Sequence, residues 1–156
     1  MQFLTQVQCD EWLKRIGRNP PADDALQSLA ADKRSNLEKE NPARVNYILR
    51  SEIPKSIFDR GEPLLLVVHD YAHWPSNQNL LLYSLIRRHF FNTGTIEDTP
   101  GHLAEAHETE FIYAIAFLCA TYGWGFYVIS RGGEEAFMIN HDWTWGAVQA
   151  PSIPPF

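Results

Sequence analysis

The sequence predicts a single α+β domain, a small antiparallel or mixed sheet covered by about four helices, and three observations carry that prediction. Leu64-Leu65-Leu66-Val67-Val68 is a short, continuous apolar run bounded by Pro63 and a polar cluster, the pattern of a strand buried on both faces. Trp124–Ser130 and Glu135–His141 read as two strands joined by the turn Arg131-Gly132-Gly133. Around them lie stretches with apolar residues at helical spacing, punctuated by Pro and Gly. A chain of 156 residues, 45% apolar, has the length for one substantial core. Within it, residues 1–62 form a charge-balanced helical part, 63–150 an acidic, aromatic-rich α+β core and 151–156 a proline-rich tail.

Taken in order, Thr5 caps a helix running to about Gly17, with Val7, Trp12, Leu13 and Ile16 as its apolar side. After Asn19-Pro20-Pro21 a second helix is expected from Ala22 to Glu40, with Leu26, Leu29, Ala30 and Leu37 inward. Ala43–Arg50 fits both a strand, through Val45, Tyr47 and Leu49, and a helix, through Val45, Ile48 and Leu49; the alternation favours a strand. Residues 53–61 read as a helical turn closed by Gly61. Past the Leu64–His69 strand, Ser76 is the expected cap of a helix through Leu80 and Phe91, whose many apolar residues imply burial over much of its girth. Residues 92–101 form a loop, a further helix spans Leu103 to Tyr122, and Gly123 ends it in a left-handed conformation.

Charge is distributed unevenly. Residues 1–62 hold ten Lys or Arg and ten Asp or Glu, whereas residues 63–156 hold three Arg against nine acids, so the whole net charge of -6 lies in the second part. Too few cations are available there to neutralise many phosphates, which excludes nucleic acid as the expected partner. A basic protein, by contrast, is steered toward such a surface. Cys9 and Cys119 cannot form a disulfide framework or a thiolate metal site. The first residues lack a basic segment followed by an apolar one, and no stretch approaches the roughly 18 apolar residues of a membrane span. The expectation is a cytoplasmic protein without membrane contact.

All six His fall after residue 63, and two stand in His-Asp pairs, His69-Asp70 and His141-Asp142, each near a predicted strand end, where the pairs can meet at one edge of a sheet. Imidazole and carboxylate together suit a zinc or iron site, or general acid-base work. The spacing opposes a metal. His69 and His73 precede Pro75 in a strand exit and need not share a face, and His102 and His107 are five apart, on different faces of a helix. The pairs superficially resemble the motif of HD-domain phosphohydrolases, but that family is all helical and these pairs lie beside strands. No nucleophile elbow or Gly-rich phosphate loop is present, and Cys119 sits in an apolar helix as a core residue.

Recognition fits what remains. Acids stand beside large amphipathic rings at Asp70, Tyr71 and Trp74 and again at Asp142 and Trp143, with further acids at Glu97 and Asp98 in the loop and Glu134 and Glu135 in the hairpin. Trp and Tyr are frequent interface anchors, although such rings also close the ends of cores. These nine residues form the expected partner-binding set; no catalytic residue, metal ligand or cofactor is assigned. The buried strand leading to Trp74-Pro75-Ser76-x-Asn, then Pro100-Gly101-His102, Gly123-Trp124 and His141-Asp142-x-Trp, resembles small bacterial immunity proteins encoded beside polymorphic toxins. The resemblance covers residues 67–145 and leaves the N-terminal helices unmatched. It implies a cytoplasmic protein that binds a cognate toxin and occludes its active site. The alternatives are a small hydrolase using the His-Asp pairs, metal-dependent or acid-base, and a homo-oligomeric scaffold or regulatory binding module.

Overall fold

Leu64–Asp70 is a strand, as its apolar run predicts, and it lies near the middle of a sheet larger than expected. The computed structural model describes residues 1–22, 24–29, 33–37, 41–53, 61–70 and 77–153. In chain order the elements are β1 (Gln2–Leu4), α1 (Gln6–Arg15), β2 (Arg34–Asn36), α2 (Pro42–Ile53), β3 (Leu64–Asp70), α3 (Asn77–His89), β4 (Gly101–Ala104), α4 (Thr109–Thr121), β5 (Gly125–Ser130), β6 (Glu135–Ile139) and β7 (Thr144–Gln149). The seven strands among the described residues form one antiparallel sheet, ordered β1-β4-β3-β5-β6-β7-β2. With four α-helices among the described residues, this is a single α+β domain. Both edge strands are only three residues long, which limits the open backbone available for unwanted pairing.

Both faces of the sheet are covered, which is why β3 reads as unbroken apolar sequence. Leu64, Leu66 and Val68 join Phe126, Val128, Phe137 and Ile139 on the face packed by α2 and α4. Leu65 and Val67 join Tyr127, Ile129 and Met138 on the other, against Cys9, Trp12 and Leu13 of α1 and Leu26. The period-two alternation of a strand delivers its side chains to two separate cores. Cys9 and Cys119 are free and buried, and desolvation, with Asp10 nearby, raises the Cys9 thiol to about 12. Burial likewise pushes up the Cys119 thiol, so neither is a ready nucleophile.

Four sequence expectations change. The second helix, expected from Ala22 to Glu40, does not form over the described residues: Asp24–Ser28 is a turn and Arg34–Asn36 becomes β2, pairing with β7. Leu26 and Leu29 then cap Gly146 of β7, where an added Cβ would lie 2.8 Å from Leu29 Cδ1. Ala43–Arg50 is helix and not strand. Asn41 caps α2 by accepting from Arg44 N at 2.9 Å, and Pro42 takes the first helical position, where its missing N–H costs nothing. That start puts Val45, Ile48, Leu49 and Ile53 on one buried face. The helix expected from Leu103 begins at Thr109, because residues 101–104 pair with β1 and β3 as β4. Finally, α3 is not buried around its girth: Tyr83 and Arg87 face inward, while Leu81, Leu82 and Leu85 are exposed.

Other expectations hold. Thr5 and Gln8 form a capping box at the start of α1, although Val7 is exposed. Gly123 has φ 68°, ending the α4 chain segment in the left-handed region. The expected turn at 53–61 and the Ser76 cap fall largely on residues outside those described.

Arg87, buried with His102 and Tyr83, makes an uncommon polar core between α3 and the β1–β4 edge. Its guanidinium donates to Tyr83 Oη at 2.8 Å, to Thr99 O at 3.1 Å, twice to Asn92 Oδ1 at 3.1 and 2.8 Å, and to Thr99 Oγ1. All five donors are used, and every acceptor is uncharged. Tyr83 Oη accepts from Arg87 and lies 2.5 Å from His102 Nε2, so its own proton points to an unprotonated imidazole nitrogen. Desolvation and then the Arg87 charge lower the His102 pKa to about 3, against the opposing pull of backbone at Leu66 and Pro100.

Candidate functional site

One member of the first His-Asp pair, Asp70, meets the second pair, His141-Asp142, at the end of the sheet formed by the C-termini of β3 and β6. Asp70 is paired with Gly125 after a register shift past Val68, a local irregularity that re-aims the strand end. Its Oδ2 lies 2.7 Å from His141 Nδ1, and His141 Nε2 lies 3.4 Å from Asp142 Oδ1. The imidazole therefore stands between two carboxylates, with Asp70 the closer. Side-chain exposures of 23% for Asp70, 45% for His141 and 70% for Asp142 make this a graded surface, from a held acid outward to a solvated one.

Asn140 builds the turn that presents His141 and Asp142. Its Oδ1 accepts from Asp142 N at 3.1 Å and Thr144 N at 3.0 Å, while its carbonyl accepts from Trp143 N at 3.0 Å. Such side-chain bonding to backbone two residues on is what Asn supplies in turns. Trp143 closes the turn with φ 56°, a left-handed conformation unusual for so large a residue. Its indole explains how that conformation is held: Nε1 donates to Ala120 O at 2.8 Å near the end of α4, and the ring covers Gly123, where a Cβ would come within 3.0 Å. Trp143 thus packs inward as a clamp between the turn and α4. β2 adds a second tie, Asn36 Nδ2 donating to Asp142 O at 3.2 Å and Leu37 N to Trp143 O at 2.9 Å.

The expected partner-binding residues divide between places. Asp70, Asp142 and Trp143 gather at the end just described. Glu97 and Asp98 are exposed in the connection before β4, and that connection reaches the same end, since Val68 N donates to Pro100 O at 3.1 Å. Asp98 is engaged locally, accepting from Thr95 Oγ1 at 2.9 Å. Glu134 and Glu135 lie at the β5–β6 hairpin, the opposite end of the sheet, with Gln149 Nε2 donating to Glu135 at 3.1 Å and Arg18 3.9 Å from Glu134. Tyr71 and Trp74 fall outside the described residues. His141 was singled out from sequence within its His-Asp pair; the residue that sequence reasoning passed over is Asn140, whose turn-forming chemistry was the available signal.

His69 turns away from this cluster. Its ring stacks on Tyr127 at 6.1 Å on the opposite face, where both line a cleft of about 380 Å³ with Gln6, Pro20, Pro21 and Val67. Among the described residues no group of three His, Cys, Asp or Glu is placed to hold a metal ion, and no helix is long and apolar enough to cross a membrane.

Burial sharpens the charge asymmetry. Of the three arginines after residue 63, Arg87 is buried, leaving Arg88 and Arg131 exposed among the nine acids of that part. Glu110 is neutralised by a two-pronged pair with Arg50, at 3.1 and 2.8 Å.

Compared with protein-family models, curated proteins and solved structures, the chain matches no family, no curated protein and no solved structure.

Proposed function

We propose that this chain is a cytoplasmic, immunity-type binding protein that neutralises a cognate bacterial protein toxin by covering a basic part of its surface. The observation that carries the reading is the presentation of Asp70, His141 and Asp142 together at one accessible sheet end, with Glu97 in the adjoining connection. Carboxylates fixed in this way steer and orient a cationic partner, and their turn is braced by Asn140 and Trp143, so little ordering remains to be done on binding. With Arg87 buried, few exposed cations after residue 63 oppose that attraction. The test is direct. The toxin domain encoded beside this gene is purified and its complex with the chain is titrated at low and high salt. A salt-sensitive stoichiometric complex that blocks the toxin supports the reading, and absence of binding at low salt refutes it.

A second reading rests on one distance. The 2.7 Å approach of Asp70 to His141 Nδ1 is the arrangement by which a carboxylate orients an imidazole for general acid-base catalysis. On this reading the chain is a small hydrolase. A hydrolytic activity lost on changing His141 to Ala, with the fold intact, supports it over binding alone.

A further inference from the structure

α3 is built inside out, with a buried arginine on its inner side and leucines on its outer side. Leu81, Leu82 and Leu85 keep 58, 48 and 51% of their surface open, and Phe91, just past the helix end, keeps 97%. Leu81, Leu82 and Leu85 share one side of the helix by their spacing, and Arg88 extends it. A helix whose inner side is already packed and whose outer side is apolar has a second face to cover. The sheet and α4 supply the inner neighbour.

We propose that the outer neighbour is a second copy of this chain, paired through α3 in a two-fold dimer. The charge pattern argues for that occupant. Residues 71–96 contain no Asp or Glu, although the segments after residue 63 on either side carry nine. Two copies, each with net charge -6, repel least where this segment, which carries no carboxylate of its own, faces its counterpart, and a basic partner is drawn elsewhere, to the acids. The four open side chains present on the order of 400 Å² of apolar surface, the size at which a patch is commonly functional. Doubled by two-fold pairing, they alone bury on the order of 800 Å², the apolar centre of a contact of the size of a weak, reversible dimer.

Phe91 adds an independent sign. The bonds from Phe91 N to Arg88 O at 2.9 Å and from Asn92 N to Arg87 O at 3.0 Å form the cap motif that usually ends with glycine in the left-handed position. Phe91 occupies that position with φ 59°, holding a large ring in solvent by a backbone conformation it disfavours. Within one isolated chain Gly would serve better; in a dimer the ring becomes an anchor.

Sedimentation equilibrium of the full chain over about 1 to 100 µM tests this, because a reversible dimer is concentration-dependent. The expected mass rises from 17.9 kDa toward twice that value. The Leu82→Glu/Leu85→Glu variant is expected to stay at 17.9 kDa with an unchanged circular dichroism spectrum. Phe91→Gly is expected to weaken pairing at least tenfold while its thermal midpoint, read at a concentration where both proteins are monomeric, stays level or rises. A wild-type monomer throughout the range assigns the face to a different protein and overturns self-pairing. Dimers that survive the double Glu variant, or open assemblies beyond dimer, overturn it as well.

Discussion

Replacing His102 by Gln isolates one proton's contribution to stability. His102 is fully buried, its Nε2 receives the Tyr83 hydroxyl proton, and Arg87 stands behind that hydroxyl, so the folded protein keeps the imidazole neutral. Burial first, and Arg87 second, lower its pKa from 6.5 to about 3. Because the folded value is depressed, the unfolded chain binds the proton first as pH falls. The contribution to stability is therefore complete above 6.5 and is lost progressively as pH falls toward 3. Each unit in that window removes about 1.4 kcal/mol, so wild type loses about 2 kcal/mol from this residue between pH 7.5 and 5. Gln cannot titrate, and all other groups are shared, so the difference between the two proteins isolates the effect. Urea unfolding of both at about pH 7.5, 6.5, 5.5 and 5.0 gives free energies whose difference should narrow by about 2 kcal/mol, whatever the substitution costs at neutral pH. Parallel curves would falsify the account of a dry, neutral His102 between Tyr83 and Arg87.

Three further substitutions probe the elements that position the site. Asn41→Ala removes the α2 cap and should cost about 1 kcal/mol in urea unfolding, with no effect expected if Ala43–Arg50 were strand. Gly101→Ala places a Cβ 2.2 Å from Cys9 Sγ, against the buried thiol of α1, and should cost about 1–3 kcal/mol; a neutral result would mean that Cys9 does not lie against Gly101. Trp143→Phe keeps a ring over Gly123 but loses the bond to Ala120 O, for an expected loss of about 1 kcal/mol in the same assay.

What the sequence revealed and concealed follows from the range of the interactions involved. The Leu64–Val68 run and Gly123 were legible because burial on both faces and a left-handed cap leave their mark on adjacent residues. α2 was misread because Val45, Tyr47 and Leu49 alternate by coincidence, whereas the informative pair was Asn41-Pro42, a cap followed by a first-turn proline. β1, β2 and β4 are three or four residues long and acquire strand geometry from their partners, so no local periodicity announces them. β7 hides behind Gly146 and the short run Thr144–Gln149, in which only Val148 is a buried apolar side chain. That the two His-Asp pairs end at the same edge of the sheet was foreseeable from their positions at strand ends. That Asp70 reaches across to His141, while His69 turns to the other face against Tyr127, depends on register and bulge, which are set by strand pairing.

On the proposed function, Asp70 and Asp142 draw a basic toxin to this end of the sheet. The most direct measurement is calorimetric titration of the neighbouring gene's toxin domain with wild type and with Asp70→Asn/Asp142→Asn, at low and high salt. Neutralising both acids should weaken binding at least tenfold and flatten its dependence on salt, with the fold unchanged. Equal affinity and equal salt dependence for the two proteins would contradict the claim.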